Sequence, residues 1–439
     1  MPRAAREAGF DLSGVRFFLI SSLGWGHPAM AVPPNILWIV ATQWRASATG
    51  YAGDVNARTP WLDGLASEAV NFTAAVTPHP FGPQARAALL TGQRCPDNGV
   101  SDYWDPLPAD ARTVAHALGD RGYETAFFGK WHLAERDRTA PLVGEVHAKM
   151  KVPPARRGGF ALWEGFEGGF LLNDPWLHGS RLPEPRHFKG YQAEVLAQRA
   201  GEWCRGQQAR RGAGGPPSFC VVSMESPHPP YHAPAPHVAE RAAAEITLRA
   251  NVPLGGDIER QARTELAGYY AHIEATDRAI GQLIAGIDGQ TTTVVFTSVH
   301  GDMHGAHGLF RKGWPYEESV RVPLLIRRER GAGDLEFKQP DRRPVSLVDL
   351  PHMAVAWAEG RPWECTRDHA EISMPRPTTL PHQCPQAWRG FRSPQHKLIL
   401  NAAGEPWLYF DLERDPLEMK NLVEEPTQRE SIARLRALM

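Results

Sequence analysis

At 439 residues, with 48 lysines and arginines against 49 aspartates and glutamates, the chain is long enough for a substantial core and carries almost no net charge. That balance excludes a general basic surface for nucleic acid or an anionic membrane, so any charged ligand must be held by a local cluster. The five cysteines (Cys95, Cys204, Cys220, Cys365, Cys384) lack CxxC spacing, which predicts reduced structural thiols and excludes a zinc or redox motif.

Residues 1–32 read as an extension outside the folded body. Their run "VRFFLISSLGWGHPAMA" resembles a weak signal peptide, but Glu7 and Asp11 precede it and Ser21 and Ser22 interrupt it. A cytoplasmic location is therefore favoured over secretion, and Met30 offers an alternative start. No other run approaches the roughly 18 apolar residues that cross a bilayer, so no membrane partner is expected.

From Asn35 the pattern alternates between strands and helices. "NILWIVA" (35–41) is a continuous apolar run, as expected of a strand buried on both faces, and "TPWLDGLASEAVNF" reads as an amphipathic helix. "TVAHALGDRGYETAFFGKWHL" is helix, glycine turn and strand; "SFCVVSME" is a buried strand; "ELAGYYAHIEATDRAIGQLIAGI" is a long helix; "TTTVVFTS" is a strand again. This order predicts an α/β/α sandwich over 33–365 with its ligand site at the carboxyl ends of the strands. Residues 360–385, rich in Pro, Thr and Arg, predict a loop-rich connection. "HKLILN", "PWLYFDLERDP" and a terminal helix then predict a small strand-and-helix lobe over 366–439.

Residues of chemical interest follow these strand ends. Thr42 and Gln43 come after the first strand, Lys130 and His132 after "YETAFF", His228 after "SFCVVSME", and Val299, His300 and Asp302 after "TTTVVFTS", with Lys312 beyond. Arg86 opens the helix-like "ARAALLTG", where free backbone N–H groups favour anions. Convergence of Arg86, Lys130, His132, His228, His300 and Lys312 predicts a pocket for a doubly charged oxyanion. Taken singly, each lysine reads equally as a solvated surface group and each histidine as a structural one; placement beyond successive strands is what sets them apart. His304 and His307 read as loop residues. Trp163, Trp176 and Trp314 read either as core or as an apolar or sugar-binding wall.

These segments together resemble the sulfatase family of the alkaline phosphatase superfamily. The resemblance rests on "PNILWIVATQWRASATGYAG", "ARAALLTGQ", "GYETAFFGKWHL", "TSVHGDMHGAHGLFRKGWPYEESVRVP" and "LYFDLERDPLEMKNL", in that order. It implies an alkaline-phosphatase-like fold, sulfuric ester hydrolysis, a calcium or magnesium ion, and a formylglycine nucleophile matured from Cys or Ser. It also implies sulfate-group contacts from Arg86, Lys130, His132, His228 and Lys312.

The departures fall on the chemistry. The nucleophile position is Gly82, which has no side chain to attack with. The family's metal-binding carboxylates fall on Thr42 and Val299; Gln43 stands where members have Asp or Gln; His300 is the retained ligand position, and Asp302 lies outside the resemblance's ligand set. A hydroxyl, an amide and an imidazole do not replace two carboxylates around a hard dication. The favoured expectation is a pseudoenzyme, inactive as a sulfatase, that binds an anionic small molecule or sulfated ligand without a cofactor. Three alternatives remain open. One is an active sulfuric or phosphoric ester hydrolase with a divalent cation on unorthodox ligands such as His300, Asp302, Gln43 and water. The others are a metal-free enzyme using His132, His228 or His300 as acid and base, and a relic with no activity. Oligomeric state is not legible.

Overall fold

The first strand, β1 (Asn35–Ala41), is buried along its whole length, as an unbroken apolar run between two neighbouring strands must be. In the computed structural model, which describes residues 32–239, 241–330, 340–377, 380–437 and 439, it is an interior strand of a nine-stranded sheet. The other strands in chain order are β2 (Val70–Asn71), β3 (Glu124–Lys130), β4 (Leu162–Phe166), β5 (Trp176–Gly179), β6 (Arg186–His187), β7 (Ser218–Ser223), β8 (Thr292–Ser298), β9 (Leu324–Arg327), β10 (Ala370–Met374), β11 (Trp388–Arg392), β12 (His396–Asn401) and β13 (Pro406–Asp411). The large sheet runs β2-β9-β8-β1-β7-β3-β4-β5-β6. Pairings β8–β1, β1–β7, β7–β3 and β3–β4 are parallel, and the outer pairings are antiparallel.

Alternation along β1 builds a core on each face. Leu37, Ile39 and Ala41 join the cluster under helices Pro60–Glu68, Gln192–Gly212 and Asp257–Ala285. Ile36, Trp38 and Val40 join the opposite cluster, under helices Gly82–Thr91, Val114–Gly119 and Asp349–Ala358. The result is the α/β/α sandwich expected from the strand–helix alternation.

Two features correct the sequence reading. The segment 360–385 contains a strand, β10, whose buried positions Ala370, Ile372 and Met374 alternate with Glu371 and Ser373. Five residues of alternation are easily hidden in a Pro-, Thr- and Arg-rich stretch. The helices Gln192–Gly212 and Asp349–Ala358 were not read from the sequence at all; the first carries many arginines, glutamines and glycines, which dilute its apolar stripe.

Strands β10–β13 form a second, antiparallel sheet, and Pro33–Met439 is one compact unit that includes it. The expected extension over 1–32 lies, up to residue 31, outside the described residues. Among the described residues no helix is long and apolar enough to cross a membrane.

Candidate functional site

Parallel strands deliver their carboxyl ends to one edge of the sheet. At that edge Thr42 follows β1, Lys130 ends β3, Glu225 and His228 follow β7, and His300 follows β8. Of these, Thr42, Lys130, His228 and His300 line a cavity of about 350 Å³ together with Gly82, His132 and Lys312, with Phe81, Tyr103 and Phe170 among its walls. Gln43 and His132 both hold left-handed backbone, at φ 70° and 59°. Non-glycine residues in this region carry strain, which concentrates at functional sites.

Two lysines supply the positive charge. Lys130 Nζ donates to Glu225 Oε1 at 2.6 Å, an ion pair with both side chains fully buried. It also lies 4.6 Å from the Phe170 ring centre, and that ring stacks on His228 at 4.6 Å. Burial pushes the Lys130 ammonium down to about 8 against the opposing pull of Glu225. Lys312 Nζ donates to Gln43 Oε1 at 2.6 Å and lies 3.1 Å from His228 Nε2. Burial lowers it to about 7, with Asp302 opposing.

The imidazoles are neutral. Burial holds His132, His228 and His300 well below the ordinary histidine range, and neighbouring cations add to the effect: Arg136 and Lys130 at His132, Lys312 at the other two. His228 Nδ1 faces the Pro229 carbonyl at 2.8 Å and so carries the ring hydrogen, leaving Nε2 to accept from Lys312.

Arg86 departs from its expected place in the pocket. It does not line the cavity: Nη1 donates to the Lys130 carbonyl at 3.0 Å and Ser223 Oγ at 2.6 Å, and Nη2 to Thr42 Oγ1 at 2.7 Å. The guanidinium braces the ends of three strands beneath the floor. Gly82 is the first residue of helix Gly82–Thr91, and a β-carbon there would lie 3.0 Å from His132 Nδ1.

The family's metal ion does not fit these residues. Thr42 Oγ1 donates to the Met224 carbonyl at 2.8 Å and accepts from the Arg86 guanidinium, so it is a neutral oxygen already facing a cation. Gln43 Oε1 faces an ammonium. Val299 is fully buried in the apolar cluster on the Gly82–Thr91 side. Only His300 Nε2 is unengaged. Asp302 cannot compensate, because Oδ2 accepts from Tyr231 at 2.8 Å and from the Gln43 amide, and Oδ1 from His304 N at 3.0 Å. Burial alone would raise this carboxyl, but His304, Arg311 and those hydrogen bonds outweigh it and hold it ionised.

Some site residues escaped sequence reasoning. Glu225 was legible only as a carboxylate directly behind the buried strand "SFCVVS"; Phe170 and Tyr231 carried no pattern. Asp302, outside the expected ligand set, is a central acceptor. His304, read as a loop residue, is fully buried against Tyr269, with ring centres 4.2 Å apart. Of the two readings left open for the tryptophans, Trp163 takes the core one, and neither Trp176 nor Trp314 lines this cavity, whose aromatic walls are Phe and Tyr.

The whole arrangement, a mostly parallel sheet sandwiched by helices with cationic side chains at its carboxyl edge, is that of an alkaline-phosphatase-like protein. Residues 34–360 match the Sulfatase family model, and the chain belongs to that family. An ulvan-active sulfatase of Formosa agariphila is 33% identical over 415 residues, covering 90% of this chain and 78% of the relative. The sulfatase-type yidJ protein of Bacteroides fragilis superposes with a TM-score of 0.75 at 24% identity, over 92% of this chain and 94% of that one. A further structure, solved with its substrate D-glucosamine-2-N,6-O-disulfate, has a TM-score of 0.74 at 20% identity, over 92% and 96%.

Proposed function

We propose that this protein is a non-hydrolysing member of the sulfatase family whose site is a metal-free pocket for a tetrahedral oxyanion. The observation that carries the reading is the Gln43–Lys312 contact at 2.6 Å: a ligand position of the family's cation faces an ammonium, while Thr42 and Val299 offer no carboxylate. Hydrolysis in this family needs a nucleophile and Lewis-acid stabilisation, terms worth several kcal/mol each. Neither has a residue to supply it.

The electrostatics support retained binding. Relative to the family pattern, two carboxylates and one dication are missing together, so the site's summed charge is unchanged. Lys130 and Lys312 remain as charge-assisted donors, and the helix Gly82–Thr91 begins at the cavity. A sulfated ligand, such as the sulfated sugar bound by the structural relative, is compatible with this chemistry.

Elemental analysis after dialysis against calcium and magnesium, followed by titration with sulfate, tests the reading. No stoichiometric ion and saturable sulfate binding at millimolar concentrations are expected. About one retained ion per chain would restore the hydrolase reading.

A further inference from the structure

A second cavity, which shares no lining residue with the first, is walled by arginines. It holds about 160 Å³ and opens at the seam between the two sheets, where Thr73 lies just after β2, Arg321 follows the helix Glu317–Val320 and Arg392 ends β11; Arg342 and Glu317 complete the polar lining. At roughly 30 Å³ per water it has room for about five waters. That is a space for one tetrahedral oxyanion and a little solvent.

Charge around this cavity does not balance. Among the described residues Lys397 pairs with Glu418 at 2.7 Å, Arg249 with Glu318 at 3.5 Å and Arg342 with Glu413 at 2.9 Å. What remains is Glu317 between Arg321 at 3.0 Å and Arg392 at 3.1 Å, two guanidiniums on one carboxylate, and Lys397 draws on that carboxylate as well, at 2.8 Å. One positive charge is thus left over, and a charge held largely out of water calls for a counterion.

Donors are left over too. Arg321 reaches only Glu317 and, at 3.4 Å, the Thr73 carbonyl, so its Nη2 is unengaged among the described residues. Arg392 gives Nε and Nη2 to Glu317, and its Nη1 has no partner. The planar fork of a guanidinium matches a tetrahedral oxyanion through paired N–H groups. Arg321 and Arg342 bring such forks to the cavity with side chains 24% and 59% exposed, so a ligand meets them without reaching any buried atom. The Arg342–Glu413 pair is exposed on both sides and therefore weak, which frees Arg342 to turn to a ligand. With that turn the cavity has two positive charges in excess.

We propose that this cavity is a second anion site, which takes a tetrahedral dianion such as hydrogenphosphate or sulfate, held by Arg321 and Arg342 and neutralising the charge that Glu317 leaves. The dianion is either a free ion or the terminal group of a phosphate or sulfate monoester whose body lies outside the mouth.

Calorimetric titration of the full chain with sodium phosphate at pH 7.5, constant ionic strength and no divalent cation counts the ions. Two per chain are expected, one in each cavity. Arg342→Gln, a surface change, is expected to weaken one of them about tenfold or more, the loss of a hydrogen bond between charged groups, and to leave the other unchanged. Arg361→Gln removes an exposed arginine that pairs with Glu359 and lines neither cavity, and is expected to change nothing. A single ion that Arg342→Gln weakens would leave this site standing and overturn the reading of the first cavity. Ions that Arg342→Gln does not touch, whether one or two, overturn this site, and so does an equal loss in Arg361→Gln, which would trace the effect to net charge. Glucose 6-phosphate distinguishes the sources: affinity at this site similar to that of phosphate supports a terminal group, and much weaker affinity supports the free ion. No binding of phosphate at millimolar concentrations overturns both sites.

Discussion

Val299 and His300, adjacent in sequence, part company at the end of β8: Val299 is enclosed in the apolar cluster that holds Val40, Ala85 and Leu89, and His300 lines the cavity. A carboxylate at 299 would therefore meet apolar surroundings. Val299→Asp is expected to destabilise the protein by about 2–4 kcal/mol, the cost of burying a polar group without partners. Urea unfolding measures this directly. A change within about 0.5 kcal/mol, the range of ordinary surface substitutions, would mean that the side chain turns readily toward the cavity.

The family's nucleophile position gives a second prediction. A β-carbon at Gly82 would come within 3.0 Å of His132 Nδ1 and 3.2 Å of Cε1, so the ring must yield a few tenths of an ångström to admit Ser or Cys. Gly82→Ser is expected to fold, with stability lowered by about 1 kcal/mol. It should still not hydrolyse 4-nitrophenyl sulfate, with or without calcium, since a hydroxyl does not replace the missing cation ligands. Turnover in this single variant would sink the non-hydrolysing reading.

What the sequence made legible was whatever repeats along one element. The strand runs ending at Ala41, Lys130, Ser223 and Ser298 announced a parallel sheet, and that sheet explains why Thr42, Lys130, His228 and His300 meet. Contacts between distant segments left no such trace. Nothing in "ATQW" or "RKG" announces that Gln43 reaches Lys312, 269 positions away. Arg86 looked like an anion ligand because its residue type suits one; its burial beneath the floor depends on Ser223 and the Lys130 carbonyl, which only the fold brings to it. The strand β10 was missed for the opposite reason, since its alternation is shorter than the polar stretch around it.

The Lys130–Glu225 pair sets a pH dependence. Burial lowers Lys312 to about 7 and Lys130 to about 8, so anion affinity should fall first as pH rises through about 7 and again through about 8, as each ammonium loses its proton. Sulfate is the right probe because it does not titrate in this window. Glu225 opposes the lowering, so in Glu225→Gln the fall should begin at lower pH. An affinity that is flat from pH 6 to pH 10, or a fall that moves to higher pH in the variant, would remove Lys130 as the charged donor.

A buried trio ties β12 to the loop after Lys312. Lys397 Nζ lies 2.8 Å from Glu317 Oε1 and 2.7 Å from Glu418 Oε1, with all three side chains buried. Glu317 also has Arg392 and Arg321, at 3.1 and 3.0 Å, and stays ionised despite its burial. Glu418 depends on Lys397 among its ion pairs, and burial pushes it up to about 7. Lys397→Met is expected to cost about 3–5 kcal/mol at pH 7.5, because it leaves a buried carboxylate without its cation. The sign of the pH effect follows from Glu418. With Lys397 gone its folded pKa rises further above the unfolded value, so the penalty is full above the folded pKa and shrinks as protonation relieves it at lower pH. Urea unfolding at pH 7.5 and pH 5.5 should therefore show a smaller deficit at pH 5.5. A deficit that grows on acidification would mean that Glu317, held ionised by its arginines, dominates the trio instead.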